Sequence, residues 1–142
     1  MGAVKDCFEK GLLKSTAKSR SLALQDLRQG DFFLGEATDL LEIAKNEMAA
    51  IALYNAAFHA ARALLCIDGV KEKSHYCLQK YLEEKYCDAG ALSSADLSLF
   101  DILRGMRQEV QYGVVKVKFG EDLPVLCEKT ESFIGKIRKI IG

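Results

Sequence analysis

Two guanidiniums, Arg104 and Arg107, lie three residues apart in the run Leu103-Arg104-Gly105-Met106-Arg107-Gln108. On a helix that spacing puts them about one turn apart, where they can grip a single phosphate from one side. They share a polar face with Gln108 and Gln111, opposite a Leu99, Leu103, Met106 and Val110 stripe, and such a face is equally a solvated surface. Tyr112 follows Arg107 by five residues, about 140° round an ideal helix, so a joint site needs a frayed terminus or a second subunit. Asn55, His59 and Arg62 fall at i, i+4 and i+7 of an otherwise apolar segment and project along one stripe. That stripe reads either as the lining of a polar cleft or as the helix's one solvent-facing edge. His75, in Lys73-Ser74-His75-Tyr76, opens the following helix, where an imidazole suits acid/base chemistry or phosphate contact, or simply caps and packs. Two histidines without an acidic cluster at ligand spacing predict no metal site. No Ser/His/Asp order, P-loop or GxGxxG occurs, so dinucleotide binding and nucleotide hydrolysis by those routes are unsupported.

The elements that must position these residues read as helices. The chain has 142 residues, 49% hydrophobic and 28% charged, which suits one domain with a sizeable core. Lys plus Arg and Asp plus Glu balance at 20 each, so no global basic field exists and any phosphate site must be local. One proline and long Ala/Leu/Glu/Lys-rich stretches predict an all-α, up-and-down helical bundle of four to five main helices. A short amphipathic helix is expected from Val4 to Leu13, within an N-terminal extension over 1–20, and the core bundle over 21–142. The next pattern runs from Leu22 to Ala44, with Gly30-Asp31 and Gly35 weakening or kinking its middle. Glu47 to Asp68 is apolar nearly all round and alanine-rich, the mark of a helix at the centre of a bundle. Gly69 ends it, a loop over Lys71 to Ser74 follows, and further helices are expected over His75–Cys87, from Ser93 or Ser94 to Gly113, and over Glu121–Ile141. Val114 to Phe119 reads as an extended connector. Five cysteines, Cys7, Cys66, Cys77, Cys87 and Cys127, with no CxxC pair, predict reduced thiols. With no signal-peptide order and no uninterrupted apolar span, the expected place is the cytoplasm, away from membranes.

The run Tyr54-Asn55-Ala56-Ala57-Phe58-His59-Ala60-Ala61-Arg62-Ala63-Leu64-Leu65 resembles the second-helix signature of small prokaryotic HEPN-domain proteins. Lys73-Ser74-His75 is similar to the Lys-Thr-His element of that subfamily, and Arg107 through Tyr112-Gly113 to its Arg-x-x-x-x-Tyr-Gly element, in the same order over roughly Asp39 to Ile141.

This resemblance implies an all-α bundle that forms a homodimer, with the arginine helices facing a shared cleft. It further implies a minimal nucleotidyltransferase as partner in a toxin-antitoxin-like or regulatory system. Nucleotide or RNA phosphate would bind around Arg107, with Arg104, Gln111, His59, Asn55, Arg62 and His75 near the cleft. Many relatives are metal-independent ribonucleases in which an Arg-x(4–6)-His motif cleaves RNA. Here Arg107 matches the arginine while Tyr112 stands where the histidine would be, and no cofactor is expected. A phenol with an ordinary pKa near ~10 is a poor general base, which puts the endoribonuclease reading, with Arg107 and either Tyr112 or His75 in place of the missing histidine, second to the binding reading. A helical scaffold whose polar stripe only sets dimer register is the third.

Overall fold

The structure, a computed structural model, describes residues 2–113 and 122–142, so the expected connector Val114–Phe119 lies outside the described residues. In chain order the elements are α1 (Gly2–Glu9), β1 (Leu13–Ser15), α2 (Arg20–Glu42), α3 (Asn46–Asp68), β2 (Val70–Glu72), α4 (His75–Leu82), α5 (Ser94–Tyr112) and α6 (Leu123–Ile141). A wider helical turn over Glu83–Cys87 prolongs α4, which accounts for the longer helix expected there.

Helix α3 is the axis of the bundle. Twelve of its side chains are buried, from Ala49 to Leu65, and α2, α5 and α6 all pack on it. By length and composition α3 could cross a membrane, but most of it is enclosed by these neighbours. Its small residues admit close backbone approach. At Gly30 of α2 a Cβ would lie 3.1 Å from the Ala56 carbonyl oxygen and 3.7 Å from the Ala60 nitrogen. The expectation of a kink is corrected here: α2 runs unbroken through Gly30 and Gly35, because Gly30 is buried against α3 and packing offsets its weak helix propensity. Among the buried aromatics, Tyr54 on α3 and Phe100 on α5 meet edge to face at 5.6 Å.

Serine caps set the helix starts. Ser19 accepts from the Leu22 amide at 3.0 Å, Ser74 from the Cys77 amide at 3.2 Å, and Ser93 forms a reciprocal box with Asp96. Lys136 of α6 reaches the Asp96 carboxylate at 2.8 Å, which ties α6 to the start of α5.

Gly69 is left-handed at φ 76° and closes α3 as expected. The segment after it corrects the expected loop: Val70–Glu72 pairs antiparallel with Leu13–Ser15, with Leu13 opposite Glu72 and Lys14 opposite Lys71. Leu13 and Val70 are buried beneath this ribbon. A second correction concerns the thiols, since Cys7 of α1 and Cys77 of α4 form a disulfide and only Cys66, Cys87 and Cys127 are free. The partners stand 70 residues apart in sequence, and the bundle brings their Cα atoms to 5.9 Å. The bond fastens the N-terminal helix to α4.

The α2–α3 contact yields a direct test. Gly30→Leu should destabilise the fold by about 1–3 kcal/mol through overpacking against backbone. Gly35→Ala, where a Cβ meets open space, should be neutral or stabilising by up to ~1 kcal/mol. Urea midpoints of the two variants check both signs.

Candidate functional site

Three elements converge on Tyr54. The ring is 1% exposed on α3, and its hydroxyl hydrogen-bonds Nδ1 of His75, the first residue of α4. From α5, the Arg107 guanidinium lies 5.2 Å from the Tyr54 ring centroid, within cation–π range. His75 also stacks on Phe58 at 4.6 Å with planes 28° apart, and Arg62 stands 5.0 Å from the same phenyl ring. The reason for this gathering is local. Gly69 turns the chain back at the end of α3, the ribbon runs alongside, and the Ser74 cap starts α4 with its first side chain over Tyr54 and Phe58.

The electrostatics follow from this geometry. Burial, then the positive charges of Arg107 and Arg104, push the His75 imidazole below its ordinary range. Neutral His75 is therefore the resident form at neutral pH. Burial lifts the Tyr54 phenol to about 12 although both arginines pull the other way, so it keeps its proton. With Tyr54 O–H as donor, His75 Nδ1 is the acceptor, and the remaining ring N–H is Nε2. Two arginines around a neutral imidazole leave a local excess of positive charge and of N–H donors, which an anion would balance.

A second cluster adjoins the first on α3. Asp26 of α2 binds His59 Nδ1 at 3.1 Å with one carboxylate oxygen and receives the Cys66 thiol at 3.4 Å with the other. Phe33 stacks on His59 at 5.5 Å with planes 9° apart. Burial and then the bond to Asp26 push the Cys66 thiol up to about 11, which keeps it protonated and unreactive at neutral pH. Arg62 makes a forked bond to Glu72 of β2 at 3.2 and 3.4 Å. These groups line a cleft of about 520 Å³ between α2, α3 and the ribbon, shared with Ser19, Gln29 and Lys71.

The structure thus brings together Arg107, Arg104 and His75 around Tyr54, and separately His59 and Arg62. Asn55 is half-buried, and its side chain makes no hydrogen bond among the described residues. Gln111 and Tyr112 are exposed at the end of α5, Tyr112 at 73%, with no hydrogen bond or ring contact to the Tyr54 cluster among the described residues. Sequence reasoning passed over Tyr54, Asp26 and Glu72. Tyr54 carried a usable signal, because a tyrosine inside an alanine-rich core helix needs a partner for its hydroxyl. Asp26 carried one too, as a carboxylate between the buried positions Ala23, Leu27 and Gly30. Glu72 carried none, since its pairing depends on the ribbon.

The lowered His75 pKa fixes a pH dependence. The unfolded imidazole, near 6.5, takes up its proton at a higher pH than the folded one, so stability is full above that value and is lost as pH falls from there through the folded pKa. Between about pH 7.5 and about pH 5.5 the urea midpoint of the wild type should fall, and His75→Gln should fall less. Equal falls in both proteins would contradict the buried, arginine-flanked imidazole.

No curated protein sequence matches the chain. The family model of the HEPN domain matches residues 24–141, which takes in both clusters and reaches back through α2 to Asp26. With most of its length matched, from α2 to the last turn of α6, the chain belongs to the HEPN-domain family.

Proposed function

We propose that this HEPN protein binds nucleotide or RNA phosphate at Arg107, as a cytoplasmic homodimer that partners a minimal nucleotidyltransferase in a toxin-antitoxin-like or regulatory system. The observation that carries the binding reading is the convergence of Arg107 and His75 on one buried tyrosine, with Arg104 close enough to act on both rings. Arg107 supplies N–H donors and fixed charge to a phosphate. Its contact with the Tyr54 ring limits the rotamers it must give up on binding, which favours affinity. His75 offers an imidazole that a bound anion would recharge. The dimer and the partner enzyme rest on family membership alone, and sedimentation and pull-down with a neighbouring gene product test them. In a reducing cytoplasm Cys7 and Cys77 would stand as adjacent thiols.

A second reading has its own support. The imidazole absent from the motif position of Tyr112 is present in space at His75, beside Arg107. In the reversed tautomer, with Nδ1–H donating to the Tyr54 oxygen, Nε2 is free to take the proton of a ribose 2′-hydroxyl while the arginine steadies the phosphate, which is metal-independent cleavage. Tyr112, exposed and outside the cluster, is the weaker choice for that role.

Arg107→Ala should weaken nucleotide monophosphate binding at least tenfold, about 1.4 kcal/mol, with helix content unchanged. Calorimetric titration and circular dichroism measure the two. Unchanged affinity would end the role of Arg107. RNA cleavage that persists in chelator and disappears in both Arg107→Ala and His75→Gln would put the enzyme reading first.

A further inference from the structure

The ribbon carries a charge arrangement that the fold itself does not require. Lys14 and Lys71 are directly opposite one another across the two strands, and Lys73 follows Lys71 by two residues. The Lys73 amide bonds the Leu12 carbonyl at 2.9 Å and so extends the ladder by one step. Side chains alternate along a strand, so Leu13, Val70 and Glu72 belong to the inner face, while Lys14, Lys71 and Lys73 share the outer one. Like charges directly opposite are destabilising. Nothing nearby relieves them: none of the three lysines is in an ion pair among the described residues, whereas Lys80, Lys136, Arg62 and Arg138 all are. The crowding is close enough that Lys14, then Lys71, hold the Lys73 ammonium below its ordinary range.

The position of this face matters as much as its charge. Lys71 also lines the cleft that holds His59 and Arg62. Lys73 is two residues before His75, and the charges of Arg62 and Glu72 reach His75 from the ribbon side. Lys71 at the cleft edge and Lys73 two residues before His75 thus set the unpaired charge of the ribbon beside the cleft and the start of α4, with neutral His75 and the Glu72-bound Arg62 between it and Arg107. A single phosphate can occupy only one part of that span. A ligand that neutralises the opposed lysines and reaches Arg107 must carry regularly spaced negative charges.

We propose that the outer face of the ribbon, Lys14, Lys71 and Lys73, is a docking track for the phosphodiester backbone of a single-stranded oligonucleotide whose end or target nucleotide sits at Arg107 and His75. This rests on the phosphate reading of the Arg107 site and names its ligand as an oligonucleotide rather than a free nucleotide. The inner face has the complementary task of holding the ribbon to the bundle through Leu13, Val70 and the Glu72–Arg62 fork. Substitution of the lysines should accordingly leave the fold intact.

The experiment is fluorescence anisotropy with a labelled single-stranded RNA of about eight nucleotides, a length in the usual range for such tracks, beside calorimetry with uridine monophosphate. Wild type, Arg107→Ala, the triple variant Lys14→Gln/Lys71→Gln/Lys73→Gln and Lys14→Gln alone are compared at several salt concentrations. The triple variant should bind the oligonucleotide at least tenfold more weakly, with a salt slope about 2 units shallower, since each phosphate neutralised on a single strand contributes about 0.7. Its affinity for uridine monophosphate should equal that of wild type. Lys14→Gln should show about a third of the slope change, which keeps the test valid if the triple variant folds poorly by circular dichroism. Wild type that binds the mononucleotide and gains nothing with the oligonucleotide would overturn the track and leave the Arg107 site standing. An oligonucleotide held through the lysines but indifferent to Arg107→Ala would overturn the Arg107 site instead. Equal competition by a poly-glutamate peptide would overturn the nucleic-acid assignment in favour of an acidic protein partner.

Discussion

A helix that is apolar on nearly every side must be covered on nearly every side, and the architecture of this protein follows from that demand on α3. Helices α2, α5 and α6 close around it, and the close approach at Gly30 against Ala56 and Ala60 is possible only because side chains there are absent or minimal. What polar groups α3 carries are consequently forced to the seams between its neighbours. His59 and Arg62 emerge at the seam with α2 and the ribbon, where Asp26 and Glu72 meet them. Tyr54 is enclosed entirely, so its hydroxyl must find a partner inside, and His75 supplies it.

That last bond links packing to chemistry. Because the phenol is buried and keeps its proton, it serves as a donor and holds one nitrogen of His75. Because the imidazole is partly buried and α5 brings Arg107 and Arg104 to the same place, it stays neutral and the local field stays positive. Neither arginine is matched by a carboxylate among the described residues, in contrast to Arg62, whose charge is paired by the forked bond to Glu72. The two clusters on α3 are therefore chemically unlike. The one around Asp26 and His59 is internally neutralised, and the one around Arg107 is left with donors and charge to spare.

Much of this organisation was legible in the residues themselves. The helical periods from α2 onward, the Gly69 terminus and the Ser93 cap are local signals with local causes, and the structure bears them out, whereas the helix expected over Val4–Leu13 ends at Glu9 and gives Leu13 to β1, whose partner strand is remote in sequence. What escaped were the non-local pairings. Two three-residue strands separated by the whole of α2 and α3 leave no periodicity to read, and the Cys7–Cys77 bond joins helices that only the finished bundle brings together. Gly30 showed only a poor helix former, because the benefit of a missing side chain lies on another helix. At the site, His75 and Arg107 were legible as types suited to phosphate, but their meeting at Tyr54 depends on the turn at Gly69 and the ribbon. Tyr112, chosen by its place in a motif, lies at an exposed helix end instead.

The central claim is that an anion belongs beside His75 and Arg107. Since the chain has only two histidines, imidazole resonances followed by NMR against pH, with His59→Gln to assign them, test it without knowledge of the natural ligand. In the free protein His75 should titrate below the ordinary histidine range. On saturation with uridine monophosphate its pKa should rise, as the added negative charge stabilises the imidazolium, and Arg107→Ala should abolish the rise. A His75 titration unmoved by the nucleotide, or moved equally in Arg107→Ala, would contradict the account.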